Sequence, residues 1–177
     1  TSNSNNDMYN YGGTLNLNNV DKSKSSSPVS NNNNGTINIT GGSYHKYISN
    51  SSGNLNINDA TINTSDNGLS NSQSGVVTIN NSTITAVNTE NGTIYNEENA
   101  ILKVTDSTIS KTGTSRNNVR NSGIATFDNT KFNHNTSSSY SYYNIVNNST
   151  GDITITGGTY SNGYFIYNQG NATINDL

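Results

Sequence analysis

One phrase recurs along the chain and constrains the fold more than any other feature of the sequence. Its clearest copy is residues 69–84, LSNSQSGVVTINNSTI, in which an Asn and then a Gly precede alternating apolar residues, a turn and a Thr-apolar pair. Related copies return about every 22 residues. Their eight Gly-equivalent positions are Gly13, Gly35, Gly53, Gly75, Ala100, Gly123, Gly151 and Gly170. Such self-similarity indicates a stacked repeat protein.

The composition has to be interpreted together with this repeat. Only 28% of the 177 residues are hydrophobic, 11% are charged and none is Cys, which alone would indicate a disordered chain. The apolar residues nevertheless keep fixed offsets from the Gly, as a narrow continuous core requires. The net charge of -3 argues against a nucleic-acid partner. No apolar run approaches the ~20 residues of a membrane span, so this segment is not expected to insert into a membrane.

Each copy contains a clear strand signal. The residues two and four places after the Gly are apolar in copy after copy, as in Ile37 and Ile39 or Val77 and Ile79, while Thr and Asn stand between them. Period two with one apolar face predicts a half-buried β-strand. A tight turn and a second, shorter strand are expected to follow it.

Two polar registers accompany the strands, and both are interpreted as structural. The turn register contains only residues that tolerate positive φ or cap a bend: Asn19, Gly41, Asp59, Asn81, Asp106, Asn129, Gly157 and Asp176. The second register is predicted to form an asparagine ladder along the stack: Asn31, Asn50, Asn71, Asn96, Asn121, Asn147 and Asn168.

These observations predict an all-β protein, a right-handed parallel β-helix (β-solenoid) of about eight coils with ~22 residues per coil. The irregular spacing of the copies favours the right-handed form. Residues 1–177 are expected to form a single β-helix domain. Because the last copy stops at Leu177, we expect a fragment of a longer repetitive surface protein with flanking domains, or end-to-end association of the isolated piece.

The recurring phrase G-x-[LIV]-x-[IV]-x-[ND]-x-T-[IF] resembles the pectate-lyase-like right-handed β-helix domains of bacterial surface adhesins and autotransporter passengers. The resemblance covers the chain from Gly13 to Leu177. The GGA[IL] tetrapeptide of polymorphic outer-membrane proteins is absent, and residues 12–15 are its nearest approach. The resemblance implies a secreted or cell-surface bacterial protein with an adhesive or spacer role.

Loops between the copies are the expected site of function. The three longest, residues 85–93, 110–118 and 133–144, fall in successive copies and should project from one side of the rod. The candidate ligand-binding residues are Tyr140, Tyr142, Tyr143, His134 and Tyr164. Aromatic rings with polar edges suit sugars and protein interfaces, although some of these tyrosines could instead cap the thin core. We therefore predict a non-catalytic adhesin segment that binds a host or neighbouring-cell glycan or protein through its loop side, or a stalk.

An enzyme is the alternative, since this fold also carries polysaccharide lyases and hydrolases that place carboxylates on adjacent coils. The candidate residues are Glu97, Glu98, Asp106, Asp128, Lys103, Arg116 and Arg120. These candidates are sparse, and Asp106 belongs to the turn register, so no catalytic residue is expected. No Cys/His spacing predicts zinc, and neither a metal site nor a cofactor is expected. A third interpretation is an ice-binding face of outward Thr and Asn, but only residues 154–156 have the Thr-x-Thr form.

Overall fold

The computed structural model describes residues 8–87, 91–113, 117–134 and 142–177. Throughout these ranges the regular structure is β, and every strand pairing is parallel. Successive strands pass from one sheet to a second and then to a third, and the chain returns to the first sheet one coil further on. The predicted parallel β-solenoid is confirmed, with about seven turns spaced by roughly 22 residues, close to the eight coils expected. No helix in the described ranges is long and apolar enough to cross a membrane.

The first sheet contains the strands that carry the asparagine register. Its eight strands, in stacking order, are Met8–Tyr11, Val29–Asn32, Ile48–Asn50, Leu69–Asn71, Ile94–Asn96, Val119–Asn121, Tyr143–Asn147 and Tyr164–Asn168.

The second sheet contains the alternating strands that follow the Gly register. Its eight strands are Thr14–Asn18, Thr36–Thr40, Asn54–Asn58, Val76–Asn80, Ile101–Thr105, Ile124–Asp128, Asp152–Thr156 and Asn171–Asn175.

The third sheet contains the shorter strands after the turn register. Its seven strands are Asp21–Lys22, Ser43–Tyr44, Thr61–Thr64, Thr83–Ala86, Thr108–Lys111, Lys131–His134 and Thr159–Ser161.

The core is a narrow column filled by the inward residues of all three sheets. In the second sheet Val77 lies directly between Leu55 and Leu102, and all three side chains are fully buried. Since equivalent residues stack coil upon coil, each coil buries its apolar side chains mainly against its two neighbours. The stability of the rod therefore comes from many similar contacts between neighbours.

The turn between the second and third sheets explains the first polar register. All eight of its residues have positive φ, from 45° at Asn81 to 67° at Gly41, a region in which Gly, Asn and Asp are favoured. Side chains in this register also bond between coils: Nδ2 of Asn81 donates to Oδ1 of Asp59 at 2.6 Å. The predicted role of this register is confirmed.

The asparagine ladder is confirmed and is longer than expected. Each Nδ2 donates to the side-chain oxygen of the Asn in the next coil at 2.8–3.0 Å. The bonds connect all seven predicted residues. One further member, Asn10, was not predicted, and it donates to Asn31 at 2.9 Å. The same Nδ2 atoms donate to backbone carbonyls of the bend between the first and second sheets, as Asn71 does to Gly75 at 3.0 Å.

The ladder explains part of the Gly register, whereas at Gly53 and Gly170 the backbone of the preceding coil lies nearest to the position of a Cβ. A Cβ on Gly75 would collide with Oδ1 of Asn71 and would lie 2.5 Å from Nδ2 of Asn50. The amides of two successive coils therefore occupy the space that a side chain would need. The coil with Ala100 is the exception, and there Nδ2 of Asn96 bonds the Ala100 carbonyl at a longer 3.3 Å.

Candidate ligand-binding surface

The three long loops join the third sheet to the first, and the described residues at their ends lie at one corner of the solenoid. Each follows a third-sheet strand, ending at Ala86, Lys111 or His134, and precedes a first-sheet strand. The side chains at these three strand ends are fully buried. Of the predicted candidate residues, Tyr140 lies outside the described residues, and the other four divide into two pairs.

One pair, Tyr143 and Tyr164, lies at the surface and forms a group of three rings together with Tyr167. The ring centroid of Tyr143 lies 5.3 Å from that of Tyr164 and 5.2 Å from that of Tyr167. Tyr164 is 55% exposed and Tyr167 is 43% exposed, while Tyr143 is half-buried. We call Tyr143, Tyr164 and Tyr167 the tyrosine cluster. It lies on the last two strands of the first sheet, where Tyr143 is the register partner of Tyr164.

Two buried asparagines hold the backbone of this cluster. Nδ2 of Asn144 donates to the carbonyls of Asn162 at 2.9 Å and Tyr164 at 3.2 Å. Its Oδ1 accepts a bond from Nδ2 of Asn118 at 2.7 Å. Both amides are fully buried, so the segment before Tyr164 is fixed by interior bonds. This pair was not predicted, although each Asn stands directly before the apolar residue of its copy, Val119 or Ile145, and these two are register partners.

The other pair of candidates is His134 and Tyr142, whose rings are stacked at 5.5 Å with an interplanar angle of 16°. His134 is fully buried and lies beside Lys111 in the third sheet, so it is not part of an exposed surface. The backbone oxygen of Tyr142 accepts a bond from the Tyr164 N–H at 2.8 Å. This pair therefore packs the corner and supports the exposed cluster through the backbone.

An outward column of the first sheet leads from the tyrosine cluster to a cation. In register order the column contains Tyr95, Arg120, Val146 and Tyr167. The guanidinium carbon of Arg120 lies 5.8 Å from the ring centroid of Tyr95. Nη1 of Arg120 donates to Oδ1 of Asn91 at 3.4 Å. Arg120 was predicted only as a catalytic candidate. Its alignment with Tyr95 could have been predicted, because each of the two stands one residue before the ladder Asn of its coil.

The acidic candidates lie at scattered points of the surface. The carboxylate of Asp106 belongs to the turn register and accepts a bond from Asn129 at 2.6 Å. Asp128 and Glu98 are exposed, and Glu97 is half-buried in the bend after Asn96. Among the described residues no group of three His, Asp or Glu side chains is placed to hold a metal ion.

The basic candidates are equally dispersed. Lys103 lies between Thr78 and Thr126 in the second sheet. The one ion pair formed between described residues joins Lys46 to Asp66 at 2.6 Å, so Lys103 and Asp128 are not paired. Arg116 lies outside the described ranges.

Comparison with known proteins gave no match to a family model, to a curated protein or to a solved structure. The function is therefore inferred from the geometry of this chain and from the resemblance carried by its repeat.

Proposed function

We propose that this chain is a non-catalytic segment of a secreted or cell-surface bacterial β-solenoid that binds carbohydrate through the tyrosine cluster. The observation that carries the proposal is the contact of three tyrosine rings, of which Tyr164 and Tyr167 are each about half exposed. The resemblance of the repeat phrase to adhesin β-helices supports the location and the adhesive role.

The chemistry of the cluster suits a sugar. A tyrosine ring offers an apolar face to the C–H face of a pyranose, and its hydroxyl can exchange hydrogen bonds with sugar hydroxyls. The rings stand on neighbouring strands, 5.2–5.3 Å apart, and the Asn118–Asn144 bond fixes the adjoining backbone. Little conformational entropy is lost when such a preorganised surface binds a ligand.

The test compares two double variants in a glycan-array and polysaccharide-cleavage screen. Tyr164→Ala/Tyr167→Ala removes the exposed rings of the cluster. Tyr9→Ala/Tyr11→Ala removes two exposed rings of the same sheet at the opposite end of the stack, where Tyr11 is 78% exposed. We expect the unmodified protein to bind glycan. The cluster variant should lose affinity by about tenfold or more for each ring removed, and the control variant should bind with unchanged affinity.

Unchanged binding in the cluster variant would refute the proposed site. Release of cleavage products would refute the non-catalytic role. The catalytic candidates would then be Glu97, Glu98, Asp128 and Lys103. If no glycan binds, the aromatic surface serves a protein partner or the segment is a stalk, and the carbohydrate proposal fails.

A further inference from the structure

The first sheet presents a cation beside the tyrosine cluster. Arg120 forms no ion pair with any described residue. Among the described residues its guanidinium makes one hydrogen bond, the 3.4 Å contact from Nη1 to Asn91, and Nε is buried and has no hydrogen-bond partner there. A guanidinium carries five N–H donors, so the part of the chain that the structure describes leaves most of its hydrogen-bonding capacity unused.

Other coils show that this position does not need a cation. The same outward column contains Ser30, Ser49 and Ser70 in earlier coils, and Oγ of Ser49 donates to Oγ of Ser30 at 3.0 Å. An orphaned buried donor such as Nε of Arg120 lowers the stability of the folded protein. Arg120 is a charged residue at a position that those three coils fill with Ser, and it leaves a buried donor unpaired. Both properties are typical of a functional position.

The spacing of the column fits a short oligosaccharide. Val146 separates Arg120 from Tyr167 in the register, so the two lie two strand spacings apart, roughly 9.6 Å. This is about the length of a disaccharide. The planar fork of an Arg matches a carboxylate, with two parallel N–H···O bonds.

We propose that the carbohydrate bound by this surface is acidic, with a sugar carboxylate paired to Arg120 while the neighbouring sugar ring lies over Val146 and Tyr167. The inference rests on the carbohydrate-binding function proposed above. Because the net charge of the chain is -3, its overall field does not attract an anion, and the selectivity for the acidic sugar depends on this one side chain.

The experiment measures affinity by calorimetry for two matched pairs of probes: sialyllactose against lactose, and a hyaluronan tetrasaccharide against its carboxyl methyl ester. Arg120→Ser installs the residue found in three other coils, and Arg120→Lys keeps the charge without the fork. Lys103→Thr is the control, since it removes an exposed cation of the second sheet between two register threonines. Thermal unfolding of each variant verifies the fold.

We expect at least one acidic probe to bind about tenfold or more tightly than its neutral partner. Arg120→Ser should abolish this preference, Arg120→Lys should reduce it, and Lys103→Thr should leave it unchanged. Neutral probes should bind Arg120→Ser with the affinity that they have for the unmodified protein. Only Tyr164→Ala/Tyr167→Ala should lose affinity for both acidic and neutral probes.

Equal affinity for acidic and neutral probes, or a preference that survives in Arg120→Ser, would overturn the acidic-sugar inference and leave the carbohydrate function standing. Failure of every probe, neutral sugars of the array included, would overturn both.

Discussion

Asn71 donates its side-chain amide to the side-chain oxygen of Asn96 at 2.9 Å in the interior of the solenoid. Both residues are fully buried, and the same amide nitrogen donates to the carbonyls of Gly75 at 3.0 Å and Ile101 at 2.9 Å. One side chain thus satisfies backbone acceptors in its own coil and in the next. The ladder is therefore a second hydrogen-bond system, additional to the three sheets.

The first prediction concerns this ladder. Asn71→Thr should lower the free energy of unfolding by roughly 3 kcal/mol, because it removes the donor to Oδ1 of Asn96 and the side-chain acceptor of Nδ2 of Asn50 in the two neighbouring coils. Asn38→Thr is the matched control: Asn38 belongs to a partly exposed outer row, in which it donates to Asn16 at 2.8 Å, and Thr occupies this column at Thr78. That change should cost under about 0.5 kcal/mol. Urea denaturation compares the two variants, and similar losses would contradict a special role for the interior ladder.

The second prediction concerns the turn register. Asn81 has φ 45°, which is unfavourable for a β-branched residue. Asn81→Val should destabilise the fold by about 1–2 kcal/mol, whereas Asn81→Gly should be nearly neutral despite losing the bond to Asp59. The denaturant midpoints of the two variants measure the difference. An equal loss in both would attribute the effect to the side-chain bond and not to the backbone conformation.

The third prediction concerns a buried hydroxyl. Tyr44 is 2% exposed and its hydroxyl has no hydrogen-bond partner among the described residues, so Tyr44→Phe should stabilise the protein by about 1 kcal/mol at neutral pH. Burial raises the pKa of Tyr44 from 10.0 to about 12. Between these values the unfolded chain loses this proton while the native protein keeps it, so the contribution of Tyr44 to stability falls as pH rises.

The alkaline part of that prediction has its own readout. The difference in unfolding free energy between Tyr44→Phe and the unmodified protein should grow from pH 10 to pH 12. A difference that stays constant over this range would show that Tyr44 ionises equally in the native and unfolded states.

The fourth prediction concerns Lys111, which is fully buried and donates from Nζ to the carbonyl of Val87 at 2.9 Å. Desolvation lowers its pKa from 10.5 to about 8. Below pH 8 both states are protonated and the native state bears the unfavourable burial of the charge. Between pH 8 and 10.5 the unfolded state binds more protons, so stability rises with pH, by a total on the order of 3 kcal/mol.

Lys111→Met keeps the length of the side chain and removes the charge. Its unfolding free energy should lack this rise between pH 8 and 10.5, as measured by urea denaturation at half-unit pH steps. A parallel pH dependence in both proteins would contradict the assignment to Lys111.

Much of the fold could be predicted from the sequence because its determinants are local and repeat at short intervals. The apolar alternation, the positive-φ residues such as Asp59 and the ladder Asn residues each recur in copy after copy, so the interpretation at one position supports the others. Asn10 was missed although it stands three residues before Gly13, at the same offset as Asn50 from Gly53. The handedness of the helix stays a prediction.

The candidate surface was predicted less completely. The contact between Tyr143 and Tyr164 depends on loops of unequal length, whose course is not set by the repeat, and nothing in the spacing distinguishes the exposed Tyr164 from the buried His134. The place of Arg120 beside Tyr95 follows from the register alone. Its unpaired Nε depends on side-chain packing, which a sequence pattern does not specify.

Every amide of the ladder donates in the same direction, from the coil of Asn10 toward that of Asn168. The side-chain dipoles therefore add along the rod, with an acceptor facing out at one end and a donor at the other, and each bond polarises the next. Because of this polarity, every coil presents the same donor and acceptor to its neighbours, so one coil is the unit by which the rod can be extended. A duplicated coil inserted between any two others meets a donor on one side and an acceptor on the other, so gene segments of one repeat length could lengthen or shorten such a rod without interrupting its interior.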